Sequence, residues 1–395
     1  MKRAKRIEIA KQIIEMIDRD AEQFGEESWE ADVGRFTDKA RFEKERELFF
    51  LQRPQLIAFT ADLPDPGDYY ATDIAGRPIL LTRGKDGKAH AFLNACRHRG
   101  VKIAEGCGKA QRFTCPYHGW VFNNEGALIG VPSKESFEPE QLKNRGLIEL
   151  PCVEQMGLIL VHPQPDGRID FDEFMGPLKE IIEGYPFPEA RFVAEYRAPA
   201  RINWKHAVDG GVEGYHVPFL HPQTVAPMSL KQFLHIDSGL HHTLVTASPG
   251  IEKLKDLPED QWPEWCNFAV SNAVFPNTVI GAGELIGFFQ RSEPGDEPGV
   301  CNYVFRLYGW GRNPAPEIVE RDKKIAELLM QVALEEDMKV QISAQIMMEA
   351  GVVPSVVFGK REQNVSRMHR NHDRLIGHDV EKALAQQAVN KQAAE

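Results

Sequence analysis

Cys96-Arg97-His98 and, after a gap of 16 residues, Cys115-Pro116-Tyr117-His118 form a C-x-H … C-x-x-H pattern. Two thiolates and two imidazoles so arranged can close a metal site, and closing it ties two loops of the fold together. The surrounding texture is β-like. Pro64, Pro66, Gly67, Gly76, Pro78, Gly84 and Gly87 punctuate short apolar runs. Residues 79–82 and 89–93 read as a hairpin closed by Arg83-Gly84-Lys85-Asp86-Gly87-Lys88, and short strands continue to about Val161. A small all-β module around a metal is therefore expected. Cys107 falls between the two halves but outside the pattern, and reads as a plain thiol.

The mixed composition of each half bears on which metal. A structural Cys₂His₂ zinc site usually pairs Cys with Cys and His with His. Here each half gives one Cys and one His, which suits a [2Fe–2S] centre of Rieske type, with two Cys on one iron and two His on the other. Read with the flanking Arg99, Gly100, Gly119 and Trp120, the segment closely resembles the cluster motif of the Rieske non-haem iron oxygenases. The resemblance covers about residues 45–375. It assigns Cys96, His98, Cys115 and His118 to the cluster.

A cluster alone carries electrons and oxygenates nothing, so an oxygenase needs a second iron. Asn203-Trp204-Lys205 opens a segment running through Asp209, Gly210, Gly211, Glu213 and Gly214 to His216 and His221. A helix is expected over residues 204–216. Five residues of ideal helix would separate the two histidines by about 140°, too far for chelation. Pro218 is expected to push Val217 out of the α region and end the helix, letting His221 fold back towards His216. A 2-His-1-carboxylate triad binds Fe(II) with positions left open for O₂. The acid must come from elsewhere. By the family resemblance, in which E-D is followed eight residues later by Gln, it is Asp337, with Gln345 after it and Glu336 as the rival ligand.

The same resemblance implies more. An acidic residue at the place of Glu213, more often Asp in relatives, bridges a cluster His of a neighbouring copy, here His118, to an iron His, here His216. Glu213 also lies three residues before His216, so the two can share a helical face. The place of Asp209 commonly carries Asn near the iron; a capping role and a catalytic one both stay open. The family forms head-to-tail homotrimers and takes electrons that start on NAD(P)H from a separate reductase or ferredoxin carrying flavin, iron–sulfur groups or both. No G-x-G-x-x-G after a strand is seen in this chain. The fold implied is α+β, an all-β Rieske domain plus a helix-grip catalytic domain in which an antiparallel sheet wraps a long helix.

Domains are expected at residues 1–44 (a helical segment packed on the catalytic domain), 45–165 (Rieske) and 166–395 (catalytic). In the last, a helical stretch over 171–185, a Pro-interrupted stretch and the helix over 204–216 precede strands near residues 240–248, 269–279, 285–290 and 300–310. A long helix is expected over 317–350 with Gly351 as cap, then a helix near 362–375 and an Ala/Gln-rich tail. Val217, Phe219, Phe275, Asn277 and Phe288 are candidates for the substrate pocket, with plain core the stronger reading. Trp262 and Trp265 could cage a quaternary ammonium group, although packing is the stronger reading there too.

The net charge of −11 argues against nucleic acid as a partner. Residues 7–17 mix charge and apolar residues at helical spacing, unlike a secretory leader, and no run of about 20 apolar residues suggests a membrane span. A reducing, cytoplasmic compartment is expected. The expected function is the terminal oxygenase of a Rieske system, hydroxylating or oxidatively demethylating a small organic substrate with O₂. The alternatives are a cis-dihydroxylating dioxygenase, a Rieske electron carrier without a second iron, and a zinc-stabilised binding protein.

Overall fold

The computed structural model describes residues 1–377, so the Ala/Gln-rich tail lies outside the described residues. The β module is built as its turn residues dictate. Strand Arg77–Arg83 returns as Ala89–Leu93 with Leu80 opposite Phe92, and Gly87 takes a φ of +78° in the connecting turn. These strands sit in a five-stranded antiparallel sheet with Glu149–Leu150 at one edge and Asp68–Ile74 followed by Cys107–Lys109 at the other. A second, three-stranded sheet of Arg112–Thr114, Val121–Asn123 and Leu128–Gly130 faces it. Between them Leu80, Phe92, Phe113, Trp120 and Phe122 form a core that also contains Cys96 and Cys115.

The larger part is a seven-stranded antiparallel sheet. Its order is Ala190–Ala200, Cys301–Trp310, Ile286–Pro294, Thr278–Ala282, Phe268–Val274, His241–Ala247 and Phe233–Ser238. The single strand expected over 269–279 is instead two strands, because Pro276 has no N–H to give a ladder and the chain turns there. Residues 171–185 carry two short helices, Phe171–Met175 and Leu178–Ile182, separated by Gly176 and Pro177.

The long helix lies against the first two strands of the sheet. Ala326, Ala333 and Met338 share one core with Ala200, Tyr303, Phe305 and Leu307, and this core continues into the β module through Ile79, Leu81 and Ala91. The helix runs as Pro316–Gln331, a π-helical turn Val332–Asp337, and Met338–Glu349. The π turn was not expected; such single-turn insertions occur where a side chain must be re-aimed. Gly351 ends the helix at φ +69°, with its N–H to Met348 O (3.1 Å) and Val352 N–H to Met347 O (3.2 Å), the Schellman pairing.

Helix Arg3–Asp18 buries Ile9, Ala10, Ile13 and Ile14 in the core beneath the sheet. Strand Trp29–Asp32 pairs antiparallel with Ser355–Phe358, and helix Gln363–Leu375 covers the adjacent surface. Among the described residues no helix is long and apolar enough to cross a membrane.

Candidate functional site

The two halves of the Cys/His pattern fold alike. Gly100 N–H bonds Cys96 O (2.8 Å) and Gly119 N–H bonds Cys115 O (3.0 Å). In return, Cys96 N–H bonds Val101 O and Cys115 N–H bonds Trp120 O, both at 2.8 Å. Gly100 and Gly119 sit at φ +81° and +69°, a region that glycine enters at no steric cost, which explains their place in the motif. The loops bring the rings of His98 and His118 to 4.5 Å between centroids, and Trp120 stacks on His98 at 4.9 Å. Cys96 and Cys115 are buried free thiols. Nδ1 of both histidines is buried without a hydrogen-bond partner. The two thiols pair with each other and share a core with Trp120, which stacks on His98 facing His118, so the four side chains sit on adjoining loops as a donor set that fits a Rieske cluster. Burial pushes the Cys96 thiol up, and the adjacent Cys115 adds to it. Cys107 is exposed on an edge strand away from this set.

The second set forms around an early helix end. Asn203 caps helix Trp204–Asp209 through Oδ1, which accepts from Lys205 N at 3.0 Å. The helix expected to reach His216 stops at Asp209, where Gly210 and Gly211 follow. Pro218 does not end it. Pro218 instead occupies the first turn of a new short helix, Val217–Leu220, where a missing N–H costs little. The approach of the histidines follows all the same. His221 closes the short helix and its ring lies 5.0 Å from that of His216. A Cβ on Gly214 would meet the Phe233 ring at 2.5 Å, so the turn into His216 needs glycine for close approach.

The π turn supplies the acid. Asp337 Oδ1 lies 3.0 Å from His221 Nε2 and 3.7 Å from His216 Nε2. Ligand atoms of His216, His221 and Asp337 all fall within 4.8 Å of one another, a group that could hold one metal ion. The other nitrogens turn outward. His216 Nδ1 hydrogen-bonds Glu213 Oε1. His221 Nδ1 bonds Glu336 Oε2 at 2.6 Å, and Thr224 Oγ1 donates to that same oxygen at 2.9 Å. Glu336, the rival ligand, thus stands on the far side of His221 from Asp337. Burial pulls both imidazoles down, but the facing carboxylates outweigh it and raise them above their ordinary value. A metal must displace those protons to bind.

A cleft of about 240 Å³ opens beside His216 and Asp337. Phe36, Val356 and Phe358 form its apolar wall, and Asp209, Glu213 and Glu362 its acidic one. Of the proposed pocket residues, none lines this cleft. Val217 borders a separate hollow, and Phe219 is 74% exposed. Phe275 packs on Phe49, Phe288 on Phe305, and Asn277 is tied to Ser292 O and Glu293. Trp262 is core, while Trp265 stacks with Tyr185 and Trp310 and already carries the Arg6 guanidinium at 4.8 Å. Asp209 is buried and faces His369 at 3.0 Å, a pairing without a sequence signal because 160 residues separate the two.

The Rieske [2Fe-2S] domain family matches residues 53–153, and the ring hydroxylating alpha subunit catalytic domain family matches residues 187–378. The carnitine monooxygenase oxygenase subunit of Escherichia coli K12 is 29% identical over 54% of this chain. Toluate 1,2-dioxygenase subunit alpha of Pseudomonas putida is 30% identical over 58% of it. The chain spans 58% and 54% of the length of these two relatives. Among solved structures, a quaternary ammonium Rieske monooxygenase with L-carnitine superposes at TM-score 0.74 and 20% identity, covering 89% of this chain and 96% of that one. Naphthalene 1,2-dioxygenase from Rhodococcus superposes at 0.74 and 20%, covering 93% and 97%. At that identity the superpositions speak to fold: both share the α+β architecture.

Proposed function

Since the chain belongs to the Rieske non-haem iron oxygenases, carrying a Rieske domain followed by a ring-hydroxylating alpha-subunit catalytic domain, we propose that it is the terminal oxygenase of a multicomponent system. In this reading Cys96, Cys115, His98 and His118 hold the [2Fe–2S] cluster, and His216, His221 and Asp337 hold a mononuclear Fe(II). The cluster supplies single electrons and the mononuclear iron a place for O₂ to be reduced. The observation that carries the reading is the convergence of His216, His221 and Asp337, with each imidazole fixed from behind by a separate carboxylate. Glu213 and Glu336 orient the rings and raise their basicity as ligands. The apolar wall of Phe36, Val356 and Phe358 keeps water from the reacting face.

Electrons enter from a separate reductase or ferredoxin fed by NAD(P)H. Head-to-tail association of three copies sets Glu213 between His216 and His118 of the neighbouring copy. Exposed apolar side chains support that docking. Tyr117 beside His118 is open, as are Tyr215 and Phe219 on the segment that carries His216, and Val340 and Val357 in the cleft wall.

The substrate we infer is a small methylated amine, hydroxylated or demethylated at carbon. Four carboxylates, Asp209, Glu213, Asp337 and Glu362, and two phenylalanine rings line the cleft, and no lysine or arginine does; Glu362 is the one that neither the iron site nor the His369 pair uses. A cation is held by Glu362 and the faces of Phe36 and Phe358, while an aromatic carboxylate finds no partner. The test is substrate-dependent O₂ uptake with a surrogate reductase. Methylated amines should stimulate uptake and aromatic acids should not; the reverse pattern overturns the substrate assignment. His216→Ala should abolish turnover while the cluster spectrum stays, and persisting turnover would remove His216 from the site.

A further inference from the structure

Asp209 differs from the other carboxylates of the cleft. Glu213 serves His216, and Glu362 accepts from the backbone of Gly359. Asp209, 8% exposed at the end of its helix, presents both oxygens to Nε2 of His369, at 3.0 and 3.1 Å. His369 is fully buried. Phe358 stacks on its ring at 4.9 Å, and Phe36 meets it edge-on at 5.3 Å. Behind it, Arg35 Nη1 lies 3.4 Å from Nδ1, and Arg35 Nη2 is anchored on Asp373 at 3.3 Å.

These contacts fix the proton inventory. A guanidinium only donates, so Nδ1 of His369 is the acceptor and its ring proton sits on Nε2, donated to Asp209. The imidazole is neutral and its tautomer is set. Both Asp209 oxygens lie within reach of that single N–H, and each keeps a lone pair that can carry a proton beside the cleft. Burial raises Asp209 well above its ordinary value; Glu362 and Glu213 add to this, while Lys205 and Arg35 oppose it. Burial, with the charges of Arg35, Lys205 and Arg41 and the ring of His372, keeps His369 unprotonated.

We propose that Asp209, positioned by His369, is the proton donor of the cleft. The idea rests on the oxygenase reading. Hydroxylation of a C–H bond by O₂ takes two electrons and two protons; one oxygen enters the product and the other leaves as water. The electrons are those of the reductase. Asp209 gives one proton to the departing oxygen and cleft water gives the other; Asp209 then stands as carboxylate held by the His369 N–H until cleft water reprotonates it. His369 is a positioning residue.

Two measurements on the full-length protein test this. Infrared difference spectra should show a protonated carboxyl band above the ordinary carboxylate range, absent in Asp209→Asn and titrating at a different pH in His369→Gln. With reductase and substrate, Asp209→Asn should lower coupled turnover about 100-fold, divert O₂ to peroxide and erase one limb of the pH profile, with KM little changed. Unchanged coupling and pH profile in Asp209→Asn, or a carboxyl band that survives the substitution, overturns the proposal. If that variant does not fold, His369→Gln decides: a wild-type pH profile and coupling reject the pair, and a shifted profile with peroxide release supports it. A wild-type protein without substrate-dependent O₂ uptake fails the oxygenase reading itself, whereas uptake matched by Asp209→Asn fails only the proton donor.

Discussion

At the scale of single residues the two iron-site histidines divide their nitrogens. Nε2 of each turns inward to Asp337, and Nδ1 turns outward to a carboxylate of its own. Losing an outer partner weakens a metal site without abolishing it. Glu336→Gln is expected to lower iron affinity by about 10- to 100-fold while a saturating metal supply restores full occupancy, as followed by iron titration of the depleted protein. Glu213→Gln should retain both metals and slow electron transfer between copies, and full single-turnover rates in that variant would exclude Glu213 from the route. The sequence makes some of this legible. The spacing of His216 and His221 is by itself a weak signal, and they stand out with the upstream Asn203-Trp204-Lys205, Glu213 and the cluster motif, as Asp337 does by resemblance. Nothing in Glu335-Glu336-Asp337 says which acid faces inward, since three consecutive acids on a helix look equivalent until the local winding is known.

At the scale of elements that winding is the π turn Val332–Asp337, which re-registers the helix where the acid is needed. Sequence periodicity finds the helix but not the turn, because one inserted residue barely disturbs an apolar repeat over thirty positions. The helix from Trp204 was expected to be too long for a similar reason. Apolar spacing continues through Val208 and Val212, while the hydrogen-bond ladder breaks at Gly210. Gly214 now has a definite task, and Gly214→Ala should cost about 1–3 kcal/mol by driving a methyl group into Phe233. Because the strain falls two residues before His216, iron occupancy should fall with it; a variant with unchanged melting and full iron would contradict the close-approach reading.

At the scale of the whole molecule, the β module and the sheet domain share one core, so the cluster loops and the iron site belong to a single packed body. That body contains many neutral histidines. Burial lowers His206 and His241 to about 4 from an ordinary 6.5, and His369 and His372 lie well below it. With the folded value below the unfolded one, the native state binds fewer protons than the unfolded chain once the pH drops below 6.5. Stability is therefore complete above about 6.5 and is lost as pH falls towards 4. Unfolding free energies measured across that window should decline steadily, and a flat profile would contradict the burial of these rings as neutral groups. The β module was legible through its Gly/Pro punctuation and the long helix through its periodicity, whereas the cleft was not. Its walls come from Phe36, Asp209, Phe358 and Glu362, which only folding brings together. The central claim is that one chain holds a mixed-ligand cluster and a separate mononuclear iron. Iron and acid-labile sulfide analysis of the purified protein, with electron paramagnetic resonance after reduction, tests it most directly. About three irons and two sulfides per chain with a Rieske signal are predicted, falling to about two irons in His216→Ala. Two irons in the wild type, unchanged by that substitution, would contradict it.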